Sequence, residues 1–123
     1  MLEQKKRWRL QRDLKKGKFC FLIGVDNWSI ELQKSEFNLL YLLLLKINKQ
    51  LSDIKDGLMD EELISLELEQ LPWYIELEGK KNEWSLRFVF ESRDQTRSFE
   101  MYWPIPIAQN LFFEIKKMWE SMD

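Results

Sequence analysis

Alternating apolar and polar residues along much of the chain predict short β-strands. In the first third, the run 6–12 has Trp8 and Leu10 between polar residues, 28–32 is apolar at every second position, and 19–23 is apolar throughout. Because the side chains of a strand point alternately to its two faces, such runs predict strands that pack one or both faces against a core. Residues 24–27 (Gly-Val-Asp-Asn) predict a tight turn, because Gly, Asp and Asn tolerate the left-handed backbone conformation that such turns need. This part of the chain is therefore predicted to be a three-stranded antiparallel meander.

A long apolar segment after these strands predicts a helix. Residues 37–47 include seven Leu or Ile residues and leave no wide polar face on a helical wheel, so more than one side must be covered. The segment is far shorter than the roughly 20 residues that cross a bilayer, so protein should provide the cover. Ser35 is the predicted N-cap, Glu36 suits the positive end of the helix, and Gly57 is predicted to end it.

Four further alternating runs predict a second sheet. They cover residues 64–68, 73–77, 84–90 and 99–103. The links between them are short, and short links demand antiparallel neighbours, so a four-stranded meander with one apolar face is predicted. Pro104 and Pro106 end the last strand. The apolar side of a second helix follows, on Ile107, Leu111 and Ile115.

These elements predict an α+β fold of two antiparallel β-meanders, each closed by one helix, in the order β-β-β-α-β-β-β-β-α. The apolar residues from Trp28 to Leu44 share their spacing with those from Trp103 to Trp119. This pseudo-repeat predicts a single domain, residues 1–123, with pseudo-halves 1–59 and 60–123, since neither half could bury its apolar face alone. Whether the repeat is a true duplication stays open.

The composition excludes several kinds of chemistry. The chain has no His and one Cys, Cys20. An internal disulfide and catalysis by a His base or a Cys–His pair are therefore excluded, and zinc, haem and iron–sulfur sites lack ligands. The carboxylates of Asp60, Glu61 and Glu62 could bind Mg²⁺ or Ca²⁺, but acids between a helix and a strand are normally just exposed. We expect no cofactor, no metal and no enzymatic activity.

The sequence predicts neither export through an N-terminal signal peptide nor insertion into a membrane. The basic N-terminal residues are not followed by the apolar stretch of a signal peptide, and no apolar segment is long enough to span a bilayer. We therefore predict a cytoplasmic protein without membrane contact.

Charge is unevenly distributed although the net charge is only -2. Residues 1–18 hold eight Lys or Arg and two acids, a local +6, whereas residues 53–78 hold nine acids and one Lys, a local -8. Such segments are usually solvated or pair internally. The basic strand could also follow the backbone of a single-stranded nucleic acid or bind an acidic protein. The candidate residues are Lys5, Arg7, Arg9, Arg12, Lys15, Lys16 and Lys18.

The outward face of the second predicted sheet is acidic and offers an alternative binding surface. Its candidate residues for a protein partner are Glu67, Glu69, Glu76, Glu78 and Arg87. Arg87 is predicted to pair across strands with Glu76 or Glu100. Because a negative face repels phosphate, it favours a protein over a nucleic acid.

The chain also resembles a known family along nearly its whole length. The resemblance is carried by residues 8–10, 23–32, 36–37, 58–62, 73–79 and 85–87, most specifically by Asp26-Asn-Trp-Ser-Ile-Glu-Leu32. These segments resemble a small uncharacterised family of cyanobacterial and plant-lineage proteins, domain of unknown function 1818. The implied fold looks like the single-stranded-DNA-binding regulator fold of Whirly and PUR-type proteins, in which two halves of sheet plus helix pack together. The family has no established activity, so the resemblance implies a fold.

We therefore expect a non-enzymatic binding or regulatory module. Single-stranded nucleic acid along the basic N-terminal strand is the first hypothesis, and a protein partner on the acidic face is the second. The oligomeric state, monomer or homodimer, stays open, because the predicted edge strand 6–12 could pair with a second copy, although its Lys and Arg residues oppose this.

Overall fold

The computed structural model describes the backbone of residues 2–5 and 7–121 and the side chains of residues 7–121. Within these residues the chain forms two α-helices and two antiparallel sheets, which confirms the predicted α+β class. The first sheet contains β1 (Leu2–Lys5), β2 (Trp8–Arg12), β3 (Phe21–Val25) and β4 (Trp28–Leu32), and helix α1 (Lys34–Lys55) follows it. The second sheet contains β5 (Ile64–Gln70), β6 (Trp73–Lys80), β7 (Glu83–Glu91) and β8 (Ser98–Trp103), and helix α2 (Ile107–Glu120) follows it.

The first sheet has four described strands in the order β1-β2-β3-β4, so the prediction of three strands is wrong. The additional strand, β1, pairs with β2 along its whole length. Its sequence, Leu-Glu-Gln-Lys, has little intrinsic preference for strands, so pairing with β2 and not local pattern makes it a strand. Because β1 and β3 flank β2, residues 8–12 are not an edge strand, which corrects the route to a homodimer suggested above. Lys6 lies outside the described residues.

The turn between β3 and β4 is shorter than predicted. Gly24 lies inside β3 opposite Arg9, and only Asp26 and Asn27 separate the two strands. Asp26 has a φ of 54°, in the left-handed region that Asp tolerates in tight turns. A Cβ atom at position 24 would lie 2.5 Å from the guanidinium group of Arg9. Glycine therefore makes room for that side chain, and it is not part of the turn.

Helix α1 begins at Lys34, so the prediction of Ser35 as its N-cap is wrong. Gln33 precedes the helix, and its carbonyl accepts the first helical hydrogen bond from the Phe37 N–H at 2.9 Å. The Gln33 N–H donates to Glu36 Oε1 at 2.8 Å. This reach of a carboxylate back to the N-cap N–H is half of a capping box, so Glu36 fixes the start of the helix.

The apolar segment of α1 is buried on most but not all sides. Leu40 and Ile47 are buried, whereas Leu42 is 49% exposed. Further along α1, Leu51 is buried, whereas Ile54 is 42% exposed. In the described part of the chain, neither helix has both the length and the apolar content needed to cross a membrane.

Strands β5 to β8 form the predicted four-stranded meander, each strand antiparallel to the next. Aromatic rings fill its apolar face: the ring centroids lie 4.8 Å apart for Trp73 and Phe90, 4.7 Å for Phe90 and Phe99, and 4.4 Å for Phe88 and Trp103. Such pairs add about 0.5–1.5 kcal/mol each beyond the burial of their area. One face of the sheet is thus a core face, and the opposite face is left for polar side chains.

The chain divides into two compact units whose boundaries fall inside both helices. One unit covers residues 1–41 and 110–123, and the other covers residues 42–109. In the first unit the rings of Phe21 and Phe37 stack with centroids 4.1 Å apart, and the ring of Trp119, from α2, lies 5.7 Å from that of Phe37. The end of α2 therefore belongs with the first sheet, and the units do not coincide with the pseudo-halves 1–59 and 60–123. The single domain and the duplication stay predictions.

Candidate interaction surfaces

Two arginines of the basic segment are held by the turn between β3 and β4. Arg7 donates two hydrogen bonds to the Asp26 carboxylate, from Nε to Oδ1 at 2.6 Å and from Nη2 to Oδ2 at 2.7 Å. These bonds lower the pKa of Asp26 and raise the pKa of Arg7. Arg9 donates to the backbone carbonyls of Asp26 at 3.0 Å and Trp28 at 2.6 Å. Both guanidinium groups are therefore occupied within the chain.

Three lysines of the basic segment, Lys15, Lys16 and Lys18, follow the opposite end of β2. A short 3₁₀ helix (Leu14–Lys16) follows that strand and carries Lys15 and Lys16. Lys16 forms an ion pair with Glu31, whereas Lys15 and Lys18 are exposed. The Nζ atom of Lys18 lies 5.9 Å from the centroid of the Phe19 ring. The lysines are thus the more accessible part of the predicted basic surface.

The basic candidates do not form one continuous described surface. At about 3.3 Å per residue, β2 places Arg7 roughly 15 Å from the 3₁₀ helix that carries Lys15. Arg12, at the end of β2, also has an interaction within the chain. Lys5 ends β1, and its side chain lies outside the described residues. The basic charge of the described residues is therefore divided between two places and partly neutralised.

The outer surface of β5–β8, which we call the acidic face, brings together all five residues predicted to meet a protein partner. They are Glu67, Glu69, Glu76, Glu78 and Arg87. The strand register aligns Glu67, Glu76, Arg87 and Tyr102 in one row across the sheet. Glu67 and Glu76 lie directly opposite each other, an arrangement of like charges that is unfavourable without a bridging donor or cation.

Tyr74 supplies that donor. Its hydroxyl oxygen lies 2.8 Å from Glu67 Oε2 and 3.2 Å from Glu76 Oε2, so one proton is shared between two carboxylates. The hydrogen bond to Glu67, together with burial and the negative charges of Glu67 and Glu76, raises the pKa of Tyr74 to about 12. The sequence pattern placed Tyr74 on the outward face, but its bridging role follows only from the register of β5 and β6.

Arg87 lies at the centre of the acidic face. Its Nη1 donates to Glu100 Oε1 at 3.0 Å and its Nε to Glu76 Oε1 at 3.4 Å. The prediction that Arg87 pairs with Glu76 or Glu100 is confirmed, since both pairs form. The guanidinium carbon also lies 5.9 Å from the centroid of the Tyr74 ring. Tyr74, Arg87 and three carboxylates therefore form one connected cluster.

The acids of residues 60–62 point to separate partners. Asp60 pairs with Lys81 at 3.1 Å, Glu61 pairs with Lys80 at 2.7 Å, and Glu62 accepts a hydrogen bond from a backbone N–H at 3.2 Å. In the part of the chain that the structure describes, no three Cys, Asp or Glu side chains are grouped to hold a metal ion.

A polar cleft on the second unit was not predicted from the sequence. It has a volume of about 260 Å³. Its lining residues are Asn48, Leu51, Ser52, Lys55, Lys81, Asn82, Trp84 and Gln109. They come from α1, the turn between β6 and β7, the start of β7 and the start of α2, so no local pattern could have joined them. Two polar side chains of the cleft already form hydrogen bonds within the chain: Gln109 Nε2 donates to the Asn82 carbonyl at 2.9 Å, and Lys81 Nζ donates to the Leu58 carbonyl at 3.0 Å.

Two antiparallel four-stranded sheets and two helices define this chain as an α+β protein with an exposed acidic sheet face. The chain belongs to the family described as domain of unknown function DUF1818, whose model matches residues 3–118. The family resemblance seen in the sequence is thereby confirmed.

A solved structure shares this fold. The crystal structure of a protein of unknown function from Prochlorococcus sp. NATL2A, described as a member of the DUF155 family, is 34% identical in sequence. The similarity covers 97% of this chain and 98% of that chain, with a TM-score of 0.89. A comparison with curated proteins finds no match.

Proposed function

We propose that this chain is a non-enzymatic binding module that holds a basic surface of a protein partner on its acidic face. The observation that carries the proposal is the connected cluster at the centre of that face. There Arg87 and Tyr74 are held among the carboxylates of Glu67, Glu76 and Glu100 by hydrogen bonds of 2.8–3.4 Å.

Such a cluster suits a binding surface because its groups are already ordered. Side chains that are held in place lose little conformational entropy when a partner binds. Tyr102, which is 51% exposed, lies opposite Arg87 in the strand register and adds an accessible aromatic ring. Tyr and Arg are the residue types that most often dominate the energetics of interfaces, and the surrounding carboxylates attract and orient a cationic partner.

Site-specific photocrosslinking tests the proposal. A photoreactive benzoylphenylalanine replaces Tyr102 on the acidic face, and the full-length chain is irradiated in lysate of cells that naturally express it. We expect one discrete crosslinked protein, and less of it at high salt, because exposed ion pairs are screened. Adding Glu76→Lys should also weaken the crosslink, since it reverses a charge at the cluster.

The matched control places the same probe at Phe113, which is 60% exposed on α2. A crosslink of equal intensity from both positions, or no protein crosslink from position 102, would contradict the proposal. A product from position 102 that nuclease removes would instead assign the face to nucleic acid and also contradict it.

Single-stranded nucleic acid on the basic segment is the second candidate function. The exposed Lys15 and Lys18 favour it, because unpaired lysines can release counterions from a phosphate backbone. The resemblance of the sequence to a family whose implied fold looks like that of the Whirly and PUR-type single-stranded-DNA-binding regulators gives further support.

Titration of fluorescent single-stranded DNA and RNA at low and moderate salt tests this second candidate. We expect Lys15→Ala with Lys18→Ala to weaken binding and to reduce the salt dependence. Arg7→Ala is the matched control, since its guanidinium already binds Asp26 and should contribute little. An absence of binding at low salt would rule the candidate out.

A further inference from the structure

Strand β5 forms an open edge of the second sheet. It lies at the end of the order β5-β6-β7-β8 and pairs with β6 along all of its residues, from Ile64 opposite Gly79 to Gln70 opposite Trp73, without a bulge. Among the described residues, its other side faces no strand. A regular edge of this kind presents backbone N–H and C=O groups to which a further strand can add.

Apart from its two glutamates, β5 lacks the usual protections of an edge strand. Proteins cover such edges with Lys, Pro or a bulge, and the sequence Ile-Ser-Leu-Glu-Leu-Glu-Gln contains none of these. On β8, at the opposite edge of the same sheet, the core-facing side chains of Met101 and Trp103 are buried. β5 therefore combines an open backbone with no feature that would repel another strand of suitable charge.

The apolar side of β5 is also incompletely covered. Leu66 and Leu68 are only half-buried, whereas Ile75 on the adjacent β6 is fully buried. Leu63 and Leu71, which flank the strand, are 78% and 66% exposed. An added strand would cover this apolar surface at the same time as it satisfied the backbone.

The charges of β5 decide what kind of strand can add. Its outward residues include Glu67 and Glu69, with Glu76 beside them on β6. An antiparallel second copy of β5 would bring Glu67 or Glu69 close to the same residues of its partner, and like charges across strands are unfavourable. A segment that alternates apolar residues with Lys or Arg would meet both faces of the edge favourably.

We propose that β5 is a docking edge for an extended segment of another protein that alternates apolar and basic residues. The segment adds as a fifth strand beside β5, with its apolar side chains on Leu66 and Leu68 and its basic side chains on Glu67 and Glu69. This inference rests on the proposed function, because it specifies how a basic partner meets the acidic face.

The probe is a labelled peptide of about ten residues that alternates Lys or Arg with Val, titrated against the full-length chain at low salt. Two control peptides separate the contributions. One has the same composition with its basic residues grouped, and the other keeps every side chain but is N-methylated at alternate backbone positions. We expect both controls to bind at least about tenfold more weakly, because main-chain hydrogen bonds and alternation carry strand addition.

A charge reversal on the protein completes the test. Glu67→Lys with Glu69→Lys should weaken binding of the basic peptide at least about tenfold and allow an alternating Glu–Val peptide to bind instead. The control variant, Asp53→Lys with Asp56→Lys, changes the net charge by the same amount at two exposed positions, one in the last turn of α1 and one just after it. It should change the affinity for the peptide by less than about twofold. Hydrogen exchange should show new protection of alternate β5 amides in the complex.

The outcomes distinguish this inference from the proposed function. If all three peptides bind equally and Glu67→Lys with Glu69→Lys weakens each of them, the acidic face binds basic segments but not by strand addition, and the inference is overturned alone. Protection of the β5 amides by oligo-dT in the absence of peptide would assign the surface to nucleic acid and overturn both. A peptide-free chain that sediments as a dimer, and dissociates with Leu68→Lys, would assign the edge to a second copy and overturn the inference.

Discussion

The hydroxyl of Tyr74 should stabilise the acidic face measurably, and Tyr74→Phe removes that hydroxyl alone. The structure shows one phenolic proton shared between Glu67 at 2.8 Å and Glu76 at 3.2 Å, two carboxylates that lie opposite each other. A hydrogen bond to a charged group contributes about 1.5–3 kcal/mol, and solvent reduces this here because the bond to Glu67 is exposed and the bond to Glu76 is only partly buried. We therefore expect Tyr74→Phe to lower the free energy of unfolding by about 1–2 kcal/mol at pH 7.

Thermal and urea unfolding, followed by tryptophan fluorescence, measure this loss. With an unfolding entropy of roughly 2.1 cal/mol/K per residue, each kcal/mol shifts the Tm by about 4 °C for a chain of this length. The matched control is Tyr102→Phe, on the same face and 51% exposed, which should change the free energy of unfolding by less than about 0.5 kcal/mol.

The pH dependence gives a second readout. The pKa of Tyr74 is raised from 10.0 to about 12 in the folded chain, so the protonated phenol favours folding. This stabilisation is complete below the unfolded value of about pH 10 and is lost as the pH rises towards about 12. Tyr74→Phe should therefore flatten the decline of stability over that interval, whereas Tyr102→Phe should not.

A double-mutant cycle decides whether the reasoning is right. In a Glu67→Gln background the acceptor charge is gone, so the cost of Tyr74→Phe should shrink. If Tyr74→Phe is as stable as the parent chain at pH 7, or costs the same with and without the Glu67 charge, the hydrogen bond does not organise the face. Our account of the cluster as preorganised would then be refuted.

Three further predictions concern the scaffold that holds these surfaces. Phe37→Ala should lower the free energy of unfolding by about 3–5 kcal/mol in urea titrations, because its ring is buried in an aromatic stack, whereas Phe113→Ala, at a 60% exposed ring, should stay within about 0.5 kcal/mol. Gly79→Ala should lower the Tm more than Gly17→Ala. Both glycines have positive φ, but a Cβ at position 79 would lie 2.5 Å from a backbone oxygen, whereas a Cβ at position 17 would meet nothing within 4 Å. Asp94, whose pKa is lowered to about 2 mainly by hydrogen bonds from neighbouring hydroxyls, stabilises the fold above about pH 4, and this is lost as the pH falls to 2. Asp94→Asn should therefore show a smaller loss of Tm between pH 4 and pH 2, and an equal loss in both chains would contradict the assignment.

The second sheet could be predicted in detail because its determinants are local. Each strand alternates cleanly, and links of a few residues leave only antiparallel pairing between neighbours. The pairs of Arg87 with Glu76 and Glu100 follow directly from that order. The class of fold and the family were accessible for the same reason, since the pattern of strands and helices is continuous along the chain.

The first sheet was less predictable because one strand depends on its neighbour. β1 has no alternating run of strand-forming residues, and it becomes a strand by pairing with β2. The role of Gly24 was also hidden, because the sequence does not show that Arg9 lies opposite it. In both cases the deciding contact is between residues that are distant in sequence.

The sequence by itself determined the composition of the two surfaces: a basic N-terminal segment and an acidic outer face on the second sheet. Only the tertiary structure decided which charges remain available. The register of β2 and β3 brings Asp26 to Arg7, nineteen positions away, and turns the carbonyls of Asp26 and Trp28 towards Arg9. A charge pattern fixes how much charge a segment carries, but the partners that hold or neutralise it are set by long-range pairing. For this reason our proposals place the partner on the acidic face and the open edge of β5, although the basic segment is the more conspicuous in the sequence.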